Sequence, residues 1–207
     1  MKYRMSRRSF FHVSVGSGLA LACGASAARA AEGVSNLASA AAAQESAAAT
    51  IARALRPGVS RVIELFNTHT AETLRIAYRG ATGLVPEALS RLQWLLRDHR
   101  ANESAPIDPL LFDQLTALAA DAGVAPRYQI ISGYRAPATN SRLAAAGRGV
   151  ATRSLHMQGK AIDVRLEGVR CDALRDLAIA AAQGGVGYYA RSDFVHLDTG
   201  RVRAWAG

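Results

Sequence analysis

Ser154-Leu-His-Met-Gln-Gly-Lys-Ala-Ile-Asp-Val164 carries one histidine and one aspartate seven positions apart, with a glycine between them. On a continuous α-helix, His156 and Asp163 would share a face but stand about 10 Å apart along the axis, too far to grip one ion. On one straight strand an odd separation sends them to opposite faces of the sheet. The spacing suits a metal only if the chain turns at Gln158-Gly159, where glycine accepts positive φ, and returns as a strand bearing the aspartate. The residues after the glycine permit this. Ala161, Asp163 and Arg165 alternate with Ile162, Val164 and Leu166, so a strand from Lys160 to Leu166 buries one face and presents Asp163 on the other.

The 207 residues, half of them apolar, provide for one ordinary domain and an extension. The extension lies at the front, where basic residues precede a short, glycine-interrupted apolar run from Val13 to Ala25 and an Ala28-Arg29-Ala30 end. This reads as a secretory leader over residues 1–30, too short for a membrane span of about 20 apolar residues. Arg7-Arg8 before Phe10-Phe11 is similar to a twin-arginine signal, an export route to the periplasm that carries folded proteins. Residues 31–59 are rich in alanine and serine and read as a linker, so the folded domain is expected over 60–207.

The net charge of +9 falls to +4 once the leader's five basic residues are removed. No dense basic run with interleaved aromatics remains, which argues against nucleic acid as a partner. Only Cys171 follows the leader, so an internal disulfide is excluded, and its expected place is the apolar side of a helix as an inert thiol.

Within the domain, RVIELFNT and ETLRIAYR read as two strands joined by a polar turn near His69. Pro86 opens a helical pattern with Leu89, Leu92, Leu95 and Leu96 on one side, and Asp108-Pro109 caps a second helix that Gly123 closes. Tyr128 to Ile131 reads as a strand entering Ser132-Gly-Tyr-Arg135. Helices are expected over Ala138–Ala146 and Cys171–Gln183, with Gly147–Arg153 as a loop, and short strands in GVGYY, DFVHLDTG and RVRAW finish the fold.

Four histidines follow the leader. His69 in a turn and His99 at the charged end of a helix read as solvated side chains. His156 and His196 with Asp163 would supply two imidazoles and a carboxylate, leaving one tetrahedral position for water, as in catalytic zinc sites. Such a centre polarises a carbonyl and brings the pKa of bound water to about 7, which suits amide hydrolysis.

Ser154, His156, Gly159, Ala161 and Asp163 match every fixed position of S-x-H-x-x-G-x-A-x-D, which resembles the metal-binding motif of the M15 and related zinc murein peptidases. SGYRAPATN and GGVGYYARSDFVHLDTGRVRAW, with the opening hairpin, are similar to the branch grouped with murein endopeptidase K. The resemblance covers about Ser60 to the C-terminus. It implies a small α+β domain with a central antiparallel sheet flanked by helices. It further implies zinc on His156, Asp163 and His196, and cleavage of peptidoglycan stem peptides and cross-links. Arg135 looks like the family residue that meets substrate beside the metal, where a guanidinium could hold a carboxylate or a developing oxyanion.

For a general base the family pattern offers an acid three residues before the last ligand, which is Asp193, the preferred choice. Asp198, two residues after His196 on the same strand face, could equally bind water or orient that ligand. His196-Leu-Asp198 is also similar to the H-x-D of iron facial triads, but that reading needs a further downstream histidine, and none follows. The sequence therefore predicts an exported, monomeric, zinc-dependent peptidoglycan endopeptidase. The competing readings are a catalytically silent wall-binding domain and a D-alanyl-D-alanine carboxypeptidase.

Overall fold

The computed structural model describes residues 60–147 and 150–207, so the expected leader and linker lie outside the described residues. The chain runs β1 (Arg61–Asn67), β2 (Thr73–Gly80), β3 (Gly83–Leu84), α1 (Pro86–Leu95), α2 (Pro109–Asp121), β4 (Arg127–Ser132) and α3 (Pro137–Ala145). A 3₁₀ turn at Leu155–Gln158 then leads to β5 (Ala161–Leu166), α4 (Cys171–Ala181), β6 (Gly185–Tyr189), β7 (Phe194–Asp198) and β8 (Arg203–Ala206). None of the described helices is long and apolar enough to cross a membrane.

The α+β class agrees with the sequence, but the sheet is mixed rather than antiparallel. Its eight strands lie in the order β3-β2-β1-β4-β5-β7-β6-β8, with β1/β4 and β6/β8 parallel. Two crossovers cause this. Helices α1 and α2 intervene between β1–β3 and β4, so β4 can return in the direction of β1. After β7 the chain passes over the start of β6 to reach its outer edge. It can do so because Gly184 and Gly185 have no side chain: a Cβ at Gly184 would strike the Asp198 carbonyl, and one at Gly185 the Arg203 guanidinium.

Strand β1 shows the alternation its sequence predicts, with Ile63 and Leu65 fully buried and Val62 and Phe66 exposed. The buried faces of β1, β2, β4, β5, β6 and β7 join Leu92, Leu115, Leu118 and Leu174 of α1, α2 and α4 in one apolar cluster. An ion-pair knot fastens α2 to the first hairpin: Asp113 accepts from Arg61 and Arg79 at 2.6 Å each and from the Tyr78 hydroxyl at 2.9 Å. Removing one partner of such a buried set costs about 3–5 kcal/mol, because the remaining charges lose their compensation. Cys171 is buried as expected, and burial followed by a hydrogen bond to Asp193 pushes its thiol up to about 11, so it is not a nucleophile at neutral pH.

The cap of α2 reaches toward the site. Asp108 accepts from the Leu110 N–H at 3.0 Å and from the Thr199 hydroxyl at 2.8 Å, and its own N–H donates to the Gly159 carbonyl at 2.9 Å. This ties the helix start to the turn before β5 and to the exit of β7.

Candidate active site

The 3₁₀ turn begins at Ser154, whose hydroxyl accepts from the His156 N–H, and it ends at Gly159 with φ 65 and ψ 22. Glycine is needed there twice over. The left-handed backbone disfavours a side chain, and a Cβ would collide with the Pro106 carbonyl. The chain then returns as β5, and pairing in register sets Asp163 directly opposite His196 of β7 and Ala161 opposite Asp198. Ile162, Val164, Val195 and Leu197 point into the core, so their neighbours Asp163 and His196 share the opposite face.

The turn carries His156 over that face. His156 Nε2 lies 3.2 Å from His196 Nδ1 and 3.3 Å from Asp163 Oδ1, while His196 Nδ1 lies 2.8 Å from the same carboxylate oxygen. Ligand atoms bound tetrahedrally to zinc at about 2.0–2.1 Å stand about 3.3 Å apart; the two edges from His156 have this length, and the 2.8 Å edge between His196 and Asp163 is a hydrogen bond that a bound ion would lengthen. The outer hydrogen bonds fix the chemistry. His156 Nδ1 faces the Gly133 carbonyl at 2.8 Å, which can only accept, so that nitrogen carries the proton and Nε2 presents its lone pair. His196 Nε2 donates to Asp198 Oδ2 at 3.1 Å, which turns Nδ1 toward Asp163; without a metal Nδ1–H donates to that carboxylate, and a bound cation would take the place of this proton. Two imidazole nitrogens and a carboxylate oxygen converge on one point, and once the Nδ1 proton of His196 is displaced they form a donor set that suits a cation.

The electrostatics ask for positive charge at the same place. Burial opposes ionisation of Asp163, but His156 and His196 outweigh it and hold the carboxyl well below its usual range. Burial likewise disfavours a charged His196, and the carboxylates of Asp163 and Asp198 overcome it, raising the ring to about 9.

A cavity of about 400 Å³ opens at the cluster, lined also by Arg135, Arg153, Tyr189, Phe194 and Trp205. Arg135 follows Gly133-Tyr134, where the close approach of Gly133 to the Leu96 carbonyl leaves no room for a side chain. Its backbone N–H donates to the His156 carbonyl at 3.2 Å, and its guanidinium donates to Ser132 Oγ at 3.2 Å and Asn140 Oδ1 at 3.4 Å. It makes no ion pair among the described residues, and burial, only partly countered by Asp163, lowers its pKa. A half-buried guanidinium with neutral partners facing an open cavity suits an anionic group of a ligand.

The two candidate bases sit very differently. Asp198 is wholly buried, accepting from the Gly185 and Gly200 N–H groups, from the Arg203 guanidinium and from His196. Its pKa is lowered: burial opposes this, and the bonds from His196, Arg203, Gly200 and Gly185 prevail. Asp193 is not brought to the cluster. It occupies the β6–β7 turn with φ 50, its side chain is 70% exposed, and its carboxylate lies 3.6 Å from Arg165 Nε. The backbone reverses at that point, so spacing from His196 along the chain does not translate into a place on the cavity wall.

Sequence reasoning assigned no role to Arg203, Trp205, Tyr189 or Phe194, all of which line the cavity. The available signal was the glycine pattern of GGVGYY. Trp205 lies across Gly187, where a Cβ would overlap the indole, and its ring centroid is 5.2 Å from that of His196.

An α+β sheet that receives an S-x-H-x-x-G-x-A-x-D turn and strand and holds a buried His/Asp/His cluster beneath an open cavity defines the M15-type peptidase class. Residues 57–205 match the M15_2 peptidase family, described as peptidoglycan L,D-endopeptidase MepK, and the chain belongs to that family. Over 145 residues it is 44% identical to peptidoglycan L,D-endopeptidase MepK of Escherichia coli strain K12, covering 70% of this chain and 80% of the relative. The protein of that name from Shigella flexneri matches equally well. The probable peptidoglycan L,D-endopeptidase MepK of Haemophilus influenzae is 38% identical over 148 residues, covering 71% of this chain and 80% of its own.

Proposed function

We propose that this chain is a zinc-dependent peptidoglycan endopeptidase that hydrolyses peptide cross-links between stem peptides, with His156, Asp163 and His196 holding the metal. The observation that carries this reading is the convergence of two imidazole nitrogens and one carboxylate oxygen under an open cavity, in a chain whose relatives bear the name L,D-endopeptidase. Zinc, when bound, supplies a Lewis acid that polarises the scissile carbonyl and acidifies water. The protein's own groups do the rest. Arg135 holds a stem-peptide carboxylate or the oxyanion that develops at the carbonyl, and its neutral hydrogen-bond partners leave its charge available for this. Asp198 keeps the His196 ring in one orientation. Tyr189, Phe194 and Trp205 form the wall along which the peptide lies.

A base role for Asp193 requires the β6–β7 turn to carry its carboxylate away from Arg165 and into the cavity. Asp193→Asn tests this: zinc content unchanged with turnover lowered about 10²–10⁴-fold supports the role, and turnover at the parent rate removes it.

The deciding experiment incubates the purified protein with cross-linked muropeptides, with and without a chelator, and separates the products by mass. Loss of cross-linked dimers that stops with chelator and resumes with zinc supports the reading. Binding to murein without turnover would favour the silent wall-binding domain, and release of terminal D-alanine alone would favour the carboxypeptidase.

Export to the periplasm by the twin-arginine route belongs to the same proposal and rests on Arg7-Arg8. Lysine at both positions keeps the charge and should abolish periplasmic accumulation; unchanged accumulation would return the leader to the general secretory class.

A further inference from the structure

We propose that Arg203 is a positioning residue for His196, acting through Asp198; the inference rests on the reading of His196 as a metal ligand. Arg203 begins β8, the edge strand that pairs in parallel with β6 in the register Gly185–Arg203 and Gly187–Trp205. From there its guanidinium reaches Asp198 with both terminal nitrogens, Nη1 to Oδ1 at 3.1 Å and Nη2 to Oδ2 at 2.7 Å. The backbone N–H groups of Gly185 and Gly200 complete the coordination of Oδ1 at 3.0 and 2.9 Å. Oδ2, shared with Arg203, is the oxygen that receives His196 Nε2–H. A carboxylate joined to an imidazole alone could swing about its own χ2. One clamped by a planar fork cannot, and the ring it accepts from is held with Nδ1 toward His156 and Asp163.

The glycines on β6 serve this arrangement. A side chain at Gly185 would meet both the Arg203 guanidinium and the Asp198 carboxylate, and one at Gly187 would displace Trp205. With that space free, the Arg203 guanidinium stacks 4.8 Å from the centre of the Trp205 ring, which in turn lies against His196. Orientation of the last ligand is thereby assigned to a strand that contributes no ligand itself.

The test uses the full chain with Arg203→Gln, Arg203→Lys and, as a charge control on the remote helix α1, Arg91→Gln. Zinc affinity is read by competition with a chromophoric chelator. The His196 Nε2–H is read in metal-free protein as a downfield imidazole resonance protected from solvent exchange. Arg203→Gln should bind zinc about 10–100-fold more weakly and lose the protected resonance. Arg203→Lys, which supplies charge without the two-pronged geometry, should fall between it and the parent, and Arg91→Gln should match the parent. Parent-like affinity and a parent-like resonance in Arg203→Gln would overturn the inference. If that variant fails to melt cooperatively, the lysine variant carries the same two readings. Should the parent itself bind no zinc, the metal reading fails, while the resonance still decides whether Arg203 orients His196.

Discussion

Among the described residues two pairs of histidines lie side by side, and one of them is built as a candidate site. His156 and His196 meet edge to face with ring centroids 5.0 Å apart, whereas His69 and His99 stack at 4.0 Å with their planes 19° from parallel. The difference lies in what holds the outer nitrogens. In the first pair a carbonyl and a carboxylate each take one N–H, so the remaining ring nitrogens turn inward to the oxygen of Asp163. In the second pair His69 Nε2 bonds the Ile131 carbonyl, no carboxylate converges with both rings, and burial followed by the charge of its neighbour lowers the pKa of His99. Proximity of imidazoles alone does not make a candidate metal site; ring nitrogens that converge with a carboxylate oxygen do.

The comparison breaks most sharply at the ligands. His156→Ala, Asp163→Ala and His196→Ala should each lose zinc and muropeptide turnover together, because three protein ligands leave none to spare. Metal content after dialysis, measured beside turnover, checks this; stoichiometric zinc with full activity in any one variant would remove that residue from the set.

One step outward, Asp198→Asn should lower zinc affinity by about 10–100-fold, with activity recovering as zinc is added, because the amide can turn a donor toward His196. Activity absent with zinc fully bound would instead make Asp198 a participant in the reaction.

A smaller effect is expected at Asp98, which links the loop that carries His99 to the chain beside Arg135. It accepts from the Arg100 and Ala101 N–H groups beside His99 and from the Ala136 N–H beside Arg135. Burial opposes its ionisation, but these bonds and one from Thr139 lower its pKa, so its contribution is present above the ordinary carboxylate range and fades as pH falls through the folded value. Asp98→Asn should therefore cost about 1–3 kcal/mol at neutral pH, with the gap to the parent narrowing in acid. Urea melts at two pH values would show it, and a pH-independent gap would contradict the assignment.

The smallest effects belong to the second pair. His69→Gln and His99→Gln should keep stoichiometric zinc and shift stability by no more than about 0.5 kcal/mol. Loss of metal in either would end the distinction between the pairs.

The elements were legible where the signal is local. The glycine after His156, the alternation from Ala161 to Leu166 and the Asp108-Pro109 cap are each decided within a few residues, by backbone sterics, side-chain period and an N–H left open at a helix start. Three of the candidate site's groups were legible for the same reason, since a turn and a strand place His156 and Asp163, and a strand presents His196.

Tertiary structure alone decided how they meet. His196 approaches His156 across forty positions of sequence because β7 pairs with β5 in one register, and a slip of one residue would turn His196 into the core. The parallel course of β8, and with it the places of Arg203 and Trp205, follows from a crossing over glycines whose purpose is visible only when the atoms above them are known. The contrast between Asp193 and Asp198 has the same origin. Each lies within three residues of His196, yet a left-handed turn leaves one in solvent while the strand buries the other beneath the ring. Spacing along the chain constrains neighbours within an element. Which side chains share a cavity depends on how separate elements are packed, and that is settled by the core and the pairing of strands distant in sequence.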